Sequence, residues 1–127
     1  MNQIIETDIV IIGAGPAGCS ASLYLAQFGI PHVVVEKEVY PRDKVCGDAL
    51  SGKVVSQLKK INPAWLDELK LDTQEFIPSW GVVFSAPDGN EVAIPFKHKP
   101  HETEHSPGFV TKRVDYDYWL FQKLVIS

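Results

Sequence analysis

Three glycines and one acid carry the first recognisable chemistry in this sequence. Gly13, Gly15 and Gly18 stand in the run Gly13-Ala14-Gly15-Pro16-Ala17-Gly18, and Glu36 lies eighteen residues past the last of them. Glycines at this spacing suit a phosphate cradle. Gly13 permits a tight turn, Gly15 keeps side-chain bulk away from a diphosphate, and Gly18 lets a helix lie close to a strand. The phosphates then rest on a helix opened by Pro16 and Ala17, where unpaired N–H groups and the helix dipole favour negative charge. A carboxylate at position 36 accepts hydrogen bonds from ribose hydroxyls. It also repels a 2′-phosphate, so NADP fits poorly here while FAD and NAD both remain.

The surrounding elements must hold these groups in place. Thr7 to Ile12 contains a short β-branched run ending at Gly13, which predicts a strand buried on both faces. A helix follows, with Ala17, Ala21, Leu25 and Phe28 expected on its apolar face and Gly29 as its C-terminal glycine. His32 to Glu36 reads as a second buried strand ending in the acid. Strand, glycine turn, helix, strand and acid thus occur in the order of a βαβ dinucleotide-binding unit.

The bulk of the chain agrees with a soluble globular protein. It has 127 residues, 45% hydrophobic and 22% charged, with a net charge of −4. That charge argues against a nucleic-acid partner, because backbone phosphates need a basic face. Glu6 and Asp8 interrupt the amino terminus, so it does not read as a signal peptide. No apolar run reaches the roughly 20 residues that span a bilayer. The two cysteines, Cys19 and Cys46, form no disulfide framework, and the default location is cytoplasmic. Peripheral contact with a membrane stays open beside it.

After Glu36 the chain leaves the nucleotide pattern. Lys37 to Leu50 reads as a charged loop, and Ser51 to Ile61 as a helix with Val54, Val55, Leu58 and Ile61 on one face. Asn62-Pro63 ends it, and Ala64 to Leu69 reads as a further short helix. Gly81 to Ser85 and Glu91 to Ile94 flank the turn Pro87-Asp88-Gly89-Asn90 and predict an antiparallel hairpin. An NAD domain would instead continue with another helix and a third parallel strand. Tyr116, Leu120 and Leu124 predict a last helix opening near Arg113.

The stretch from Asp8 to Val55 resembles the amino terminus of the geranylgeranyl reductase family of FAD-dependent oxidoreductases. That family belongs to the flavoproteins built like para-hydroxybenzoate hydroxylase. The resembling features are the glycine turn, Glu36-Lys37, Pro41-Arg42, Lys44 and Cys46-Gly47. Arg113, Tyr116-Asp117 and Leu120 fit an Arg-x-x-aromatic-Asp-x-x-Leu pattern in such proteins. The resemblance implies that the loop after Glu36 runs along FAD, with Cys46, Gly47 and Asp48 beside the isoalloxazine ring. It implies that Arg42 and Lys44 balance the diphosphate charge, and that Lys37 and Arg113 also meet the cofactor. Cys46 is the candidate catalytic residue, lining the site where substrate meets flavin. Cys46 reads equally as a packed thiol, and Asp48 equally as a helix N-terminal acid.

His101-Glu102-Thr103-Glu104-His105 satisfies the zinc-peptidase pattern H-E-x-x-H. The pattern works only on a helix, and Pro100, Pro107 and Gly108 surround it, so a loop without a metal site is expected.

The expected fold is α/β. A Rossmann-like FAD-binding βαβ unit covers 1–61 and 108–127, and 62–107 begins an antiparallel substrate-domain layer. The resemblance is to longer proteins, so the chain reads as an incomplete domain, prone to self-association and inactive alone. By resemblance the complete enzyme passes hydride from NAD(P)H to FAD and reduces carbon–carbon double bonds of a prenyl lipid. A flavin monooxygenase or halogenase is the near alternative. A non-catalytic dinucleotide-binding module is the alternative of a different class.

Overall fold

The computed structural model describes residues 4–46, 48–96 and 105–125. In chain order the elements are β1 (Val10–Ile12), α1 (Pro16–Gln27), β2 (Val33–Val35), β3 (Ala49–Leu50), α2 (Gly52–Ile61), α3 (Ala64–Leu71), β4 (Ile77–Ser79), β5 (Gly81–Ser85), β6 (Glu91–Pro95), β7 (Gly108–Val110) and α4 (Arg113–Val125). The chain divides into two compact units, one of Met1–Cys46 with Arg113–Ser127 and one of Gly47–Lys112.

The first unit is the βαβ element closed by α4. β1 and β2 pair in parallel, with Val10 opposite Val33 and Ile12 opposite Val35. Parallel strands need a crossover, and α1 supplies it. Pro16 stands at the start of α1, where its missing N–H costs nothing. The helix ends on Phe28, and Gly29 follows at φ +65°, the left-handed conformation expected of it. Helix α1 packs against β1 and α4.

Two expectations need correction. The buried face of α1 is Cys19, Ser22 and Leu23, whereas Ala17, Ala21 and Phe28 are exposed. The tight approach at Gly18 turns that face inward, so Cys19, Ser22 and Leu23 and not the expected stripe meet the rest of the unit. Neither strand is buried on both faces, since Ile12 is 90% and Val35 50% exposed. A sheet of two strands has too few neighbours to cover both sides.

The second unit is built separately. β3, β7 and β4 form an antiparallel sheet in that order, and α2 packs on α3, β3 and β7. Val55, Leu58 and Ile61 of α2 are buried, as their spacing predicts, along with Leu66, Leu69, Phe76 and Phe109. β5 and β6 form the expected hairpin, in register from Gly81–Pro95 to Ser85–Glu91. Its turn is fixed by Gly89 at φ +86° and by the Asp88 carboxylate, which accepts from the Asn90 backbone and side chain. The units meet in sequence at Cys46/Gly47 and Lys112/Arg113, against the expected 61/62 and 107/108, because α2 and β7 pack with α3 and β3.

Candidate functional site

The site is built on the turn between β1 and α1. Gly13 has φ +99°, which suits only glycine, and its N–H donates to the Val35 carbonyl at 2.7 Å. That bond ties the turn to the end of β2. A side chain at Gly18 would bring its Cβ within 1.8 Å of the Gly13 carbonyl oxygen, so glycine is obligatory there. These are the tasks that the spacing assigned to both residues.

Ala14 sits wholly buried inside the turn, and its peptide groups are fully used. Its N–H donates to Glu36 Oε2 at 2.6 Å. Its carbonyl accepts from the Tyr40 hydroxyl at 2.7 Å and from the Cys19 thiol at 2.9 Å. Glu36 therefore points at the glycine turn. Its other oxygen accepts from the Glu38 N–H at 3.0 Å. The Glu38 and Ala14 amides hold its carboxyl below the usual carboxylate range, with a smaller contribution from the Arg42 charge. The Lys37 amide adds to these bonds, and lone-pair capacity remains on the ionised group for a further donor.

Gly13, Gly15, Glu36, Lys37, Arg42 and Lys44 line one open cleft of about 750 Å³. That volume suits a small-molecule ligand, since such sites run to roughly 300–1,000 Å³. At its floor Gly15 is the N-terminal cap residue of α1. No side chain caps this helix end, and its first turn carries no acid. A Cβ at Gly15 would lie 3.5 Å from Arg42 Nη2, so the guanidinium stands directly over the glycine. Glycine, helix dipole and cation converge on one place, which is the chemistry of an anion seat.

Arg42 is held from behind. Its Nη1 donates to Asp117 Oδ2 at 2.7 Å, and its Nη2 donates to the Tyr40 hydroxyl at 3.0 Å. The guanidinium also lies 5.0 Å from the Tyr40 ring centroid. The second Asp117 oxygen accepts from Arg113 Nε, one helical turn away in α4. Asp117 is 1% exposed, so one buried carboxylate joins two arginines. Tyr40 in turn stacks on Phe121, with ring centroids 4.3 Å apart. Burial pushes the Tyr40 phenol up from its ordinary value.

The two thiols differ sharply. Cys19 is buried, and burial together with the Asp117 and Glu36 charges pushes its pKa to about 12. Cys46 is exposed, and its sulfur interacts with the Arg113 side chain. The Asp117 bond and the Cys46 interaction both raise the Arg113 pKa.

Of the remaining sequence-expected residues, Pro16 and Ala17 form the first turn of α1. Asp48 belongs to the second unit, where its backbone carbonyl accepts from the Thr111 N–H at 2.9 Å. Gly47 lies outside the described residues, as does His101-Glu102-Thr103-Glu104. His105 is described, and its Nε2 lies 2.8 Å from Asp67 Oδ1. No group of three or more potential metal ligands occurs among the described residues. No helix among them is long and apolar enough to cross a membrane.

Sequence reasoning did not single out Asp117 or Tyr40 as site residues. The Arg113–Asp117 spacing of four was a usable signal, because such residues share a helix face. The Arg42–Asp117 pair, separated by 75 residues, left no local signal.

Residues 6–60 match the family described as FAD binding domain. The chain is 46% identical over 63 residues to a menaquinone reductase of Mycolicibacterium smegmatis, a match covering 49% of this chain and 15% of that protein. It is 31% identical over 115 residues to a digeranylgeranylglycerophospholipid reductase of Methanothrix thermoacetophila, covering 89% of this chain and 26% of that one. A flavoprotein/dehydrogenase of Cytophaga hutchinsonii superposes with a TM-score of 0.76 at 24% identity, over 94% of this chain and 28% of that structure. The flavin-dependent brominase Bmp2 superposes with a TM-score of 0.70 at 29% identity, over 94% and 27%. The chain thus spans from about a seventh to about a quarter of the length of these proteins. That share accords with the expectation of a partial domain. The fold is the mixed α/β fold of FAD-binding flavoproteins, here represented by its βαβ unit and an adjoining antiparallel layer.

Proposed function

We propose that this chain is the FAD-binding segment of a flavin-dependent oxidoreductase of the geranylgeranyl reductase type, acting on carbon–carbon double bonds of a prenyl lipid. The observation that carries the reading is the cleft in which Gly15, Glu36 and Arg42 converge on the start of α1. In this reading Gly13 to Gly18 receive the diphosphate, with Arg42 and Lys44 opposing its charge. Glu36 takes the ribose hydroxyls through its unused lone pairs, and Lys37 borders the adenosine end. Arg113 and the Cys46-Gly47-Asp48 loop belong to the flavin end. Cys46 is assigned to the substrate side because its thiol is exposed. Gly47–Lys112 is assigned to substrate binding.

Bound FAD would supply the redox chemistry, with NAD(P)H as the proposed electron donor, while the protein supplies binding, orientation and charge. Likeness to two reductases, one acting on a prenylated phospholipid by its name, supports the reductase reading. Likeness to a flavin-dependent brominase favours a second reading, in which the reduced cofactor meets oxygen in a halogenase or monooxygenase.

Titration of the purified chain with FAD, ADP and riboflavin tests the cofactor assignment. FAD and ADP should compete for one site, and riboflavin should compete weakly. Absence of FAD binding with retained ADP binding would leave only a non-catalytic nucleotide module. In the full-length protein, NADPH-dependent reduction of a prenyl lipid separates the reductase from the oxygen-using alternatives.

A further inference from the structure

Asp117 joins two arginines, one of which lines the cleft. It is buried, it takes one hydrogen bond from each of two arginines, and it lies behind the cleft. Arg42 meanwhile stands over Gly15 at the start of α1. That is an unfavourable place for a lone cation, because the helix end is itself partly positive. At such a place a guanidinium turns toward water unless partners hold it. The carboxylate of Asp117 and the Tyr40 hydroxyl are the groups that hold it.

Charge counting gives the same result. One carboxylate against two guanidinium groups leaves one net positive charge, and three of the five Arg42 N–H donors remain for another acceptor. Arg42 is therefore the cation held over Gly15, in a cleft that Glu36, Glu38 and Asp43 also line. Fixing the donors in advance removes the cost of ordering a flexible arginine at binding.

We propose that Asp117 is a positioning residue for diphosphate binding. It fixes Arg42 over Gly15 in the ligand-free chain, and its second oxygen ties Arg113 beside Cys46. The inference rests on the dinucleotide reading of the cleft, and it adds a role for a residue that touches no ligand.

The test uses the full chain, titrated calorimetrically with FAD, ADP and adenosine, alongside thermal unfolding. Asp117→Asn keeps the shape and removes the charge. It should weaken ADP binding by about tenfold or more, the range for a hydrogen bond to a charged group. Adenosine binding should change less than about twofold, because adenosine carries no phosphate. Arg42→Gln should reproduce the ADP loss. Asp117→Asn added to Arg42→Gln should then cost little more, the signature of two residues acting as one. An equal loss for ADP and adenosine overturns the proposal in favour of a general structural role. So does unchanged ADP affinity in Asp117→Asn. Wild-type chain that binds neither FAD nor ADP overturns the dinucleotide reading itself, and the proposal with it. If Asp117→Asn does not fold, nitrogen-resolved NMR of the ligand-free wild type decides. Separately resolved Arg42 Nη protons support a pre-fixed guanidinium, and fully averaged signals overturn it.

Discussion

Tyr40 and Phe121 lie face to face, their ring centroids 4.3 Å apart and their planes within 1°. One ring comes from the loop after β2 and the other from α4. The Tyr40 hydroxyl reaches on to the Ala14 carbonyl inside the glycine turn. The Tyr40 side chain thereby adds a link between helix α4 and the glycine turn, beside the Arg42–Asp117 pair. Phe121→Ala should destabilise the first unit by about 1–3 kcal/mol, from lost burial and lost ring contact. Urea unfolding of wild type, Phe121→Ala, Tyr40→Leu and the double variant checks it. A coupling near zero would mean that the stack carries no weight of its own.

Gly15 and Gly18 should respond differently to the same change. In Gly18→Ala the new methyl group would meet the Gly13 carbonyl at 1.8 Å, and the turn must open. We expect a loss of about 3 kcal/mol, at the upper end for overpacking. In Gly15→Ala the methyl group meets Arg42 Nη2 at an ordinary 3.5 Å, so stability should hold within about 0.5 kcal/mol while FAD binding weakens. Equal melting temperatures for the two variants would contradict the geometry.

Glu36 gives a pH signature. Its folded pKa lies below its ordinary value because the ionised carboxylate accepts the Glu38 and Ala14 amides. The unfolded chain therefore binds the proton more tightly than the folded one. The stability Glu36 contributes is present above its ordinary pKa of 4.5 and is lost as pH falls through the depressed value. The stability difference between wild type and Glu36→Gln should shrink across that window and stay flat above it. Denaturant midpoints between neutral and acidic pH measure this. The same substitution should weaken FAD binding by about 1–3 kcal/mol, as for loss of a charged acceptor.

The thiols should differ in reactivity. Cys19 is buried and its pKa is about 12, so it is almost entirely protonated near neutral pH. Cys46 is exposed. A thiol reagent should modify one cysteine in the native chain and both in denaturant. Mass mapping should place the native adduct on Cys46. Native labelling of Cys19 at a comparable rate would refute the buried assignment.

The legible parts of this fold were those whose chemistry is local. Gly13, Gly18 and Gly29 announced their roles because turn geometry and close approach constrain the residue type in place. Glu36 was legible as well, since the end of β2 carries it back to the turn. The hairpin β5–β6 announced itself through Asp88-Gly89. What escaped was non-local or too short. β3 has two residues and β4 contains Pro78, so neither shows a strand pattern, and their pairing with β7 needs the whole second unit. The face of α1 was misread because its sequence is apolar or small nearly all round. Only the depth of contact at Gly18 decides which side turns inward. Arg42 was read as a counter-charge to the diphosphate without its tie to α4, because Asp117 lies far along the chain.

Cys46 and Arg113 interact, although Gly47–Lys112 lies between them in sequence. The chain thus departs from the nucleotide-binding unit and rejoins it at adjacent points. Topologically the intervening stretch is a guest in a host. During synthesis the host stays unfinished until α4 emerges, so the guest has the opportunity to mature first. Guests bounded in this way are the ones that evolution or an engineer can exchange while leaving the host intact.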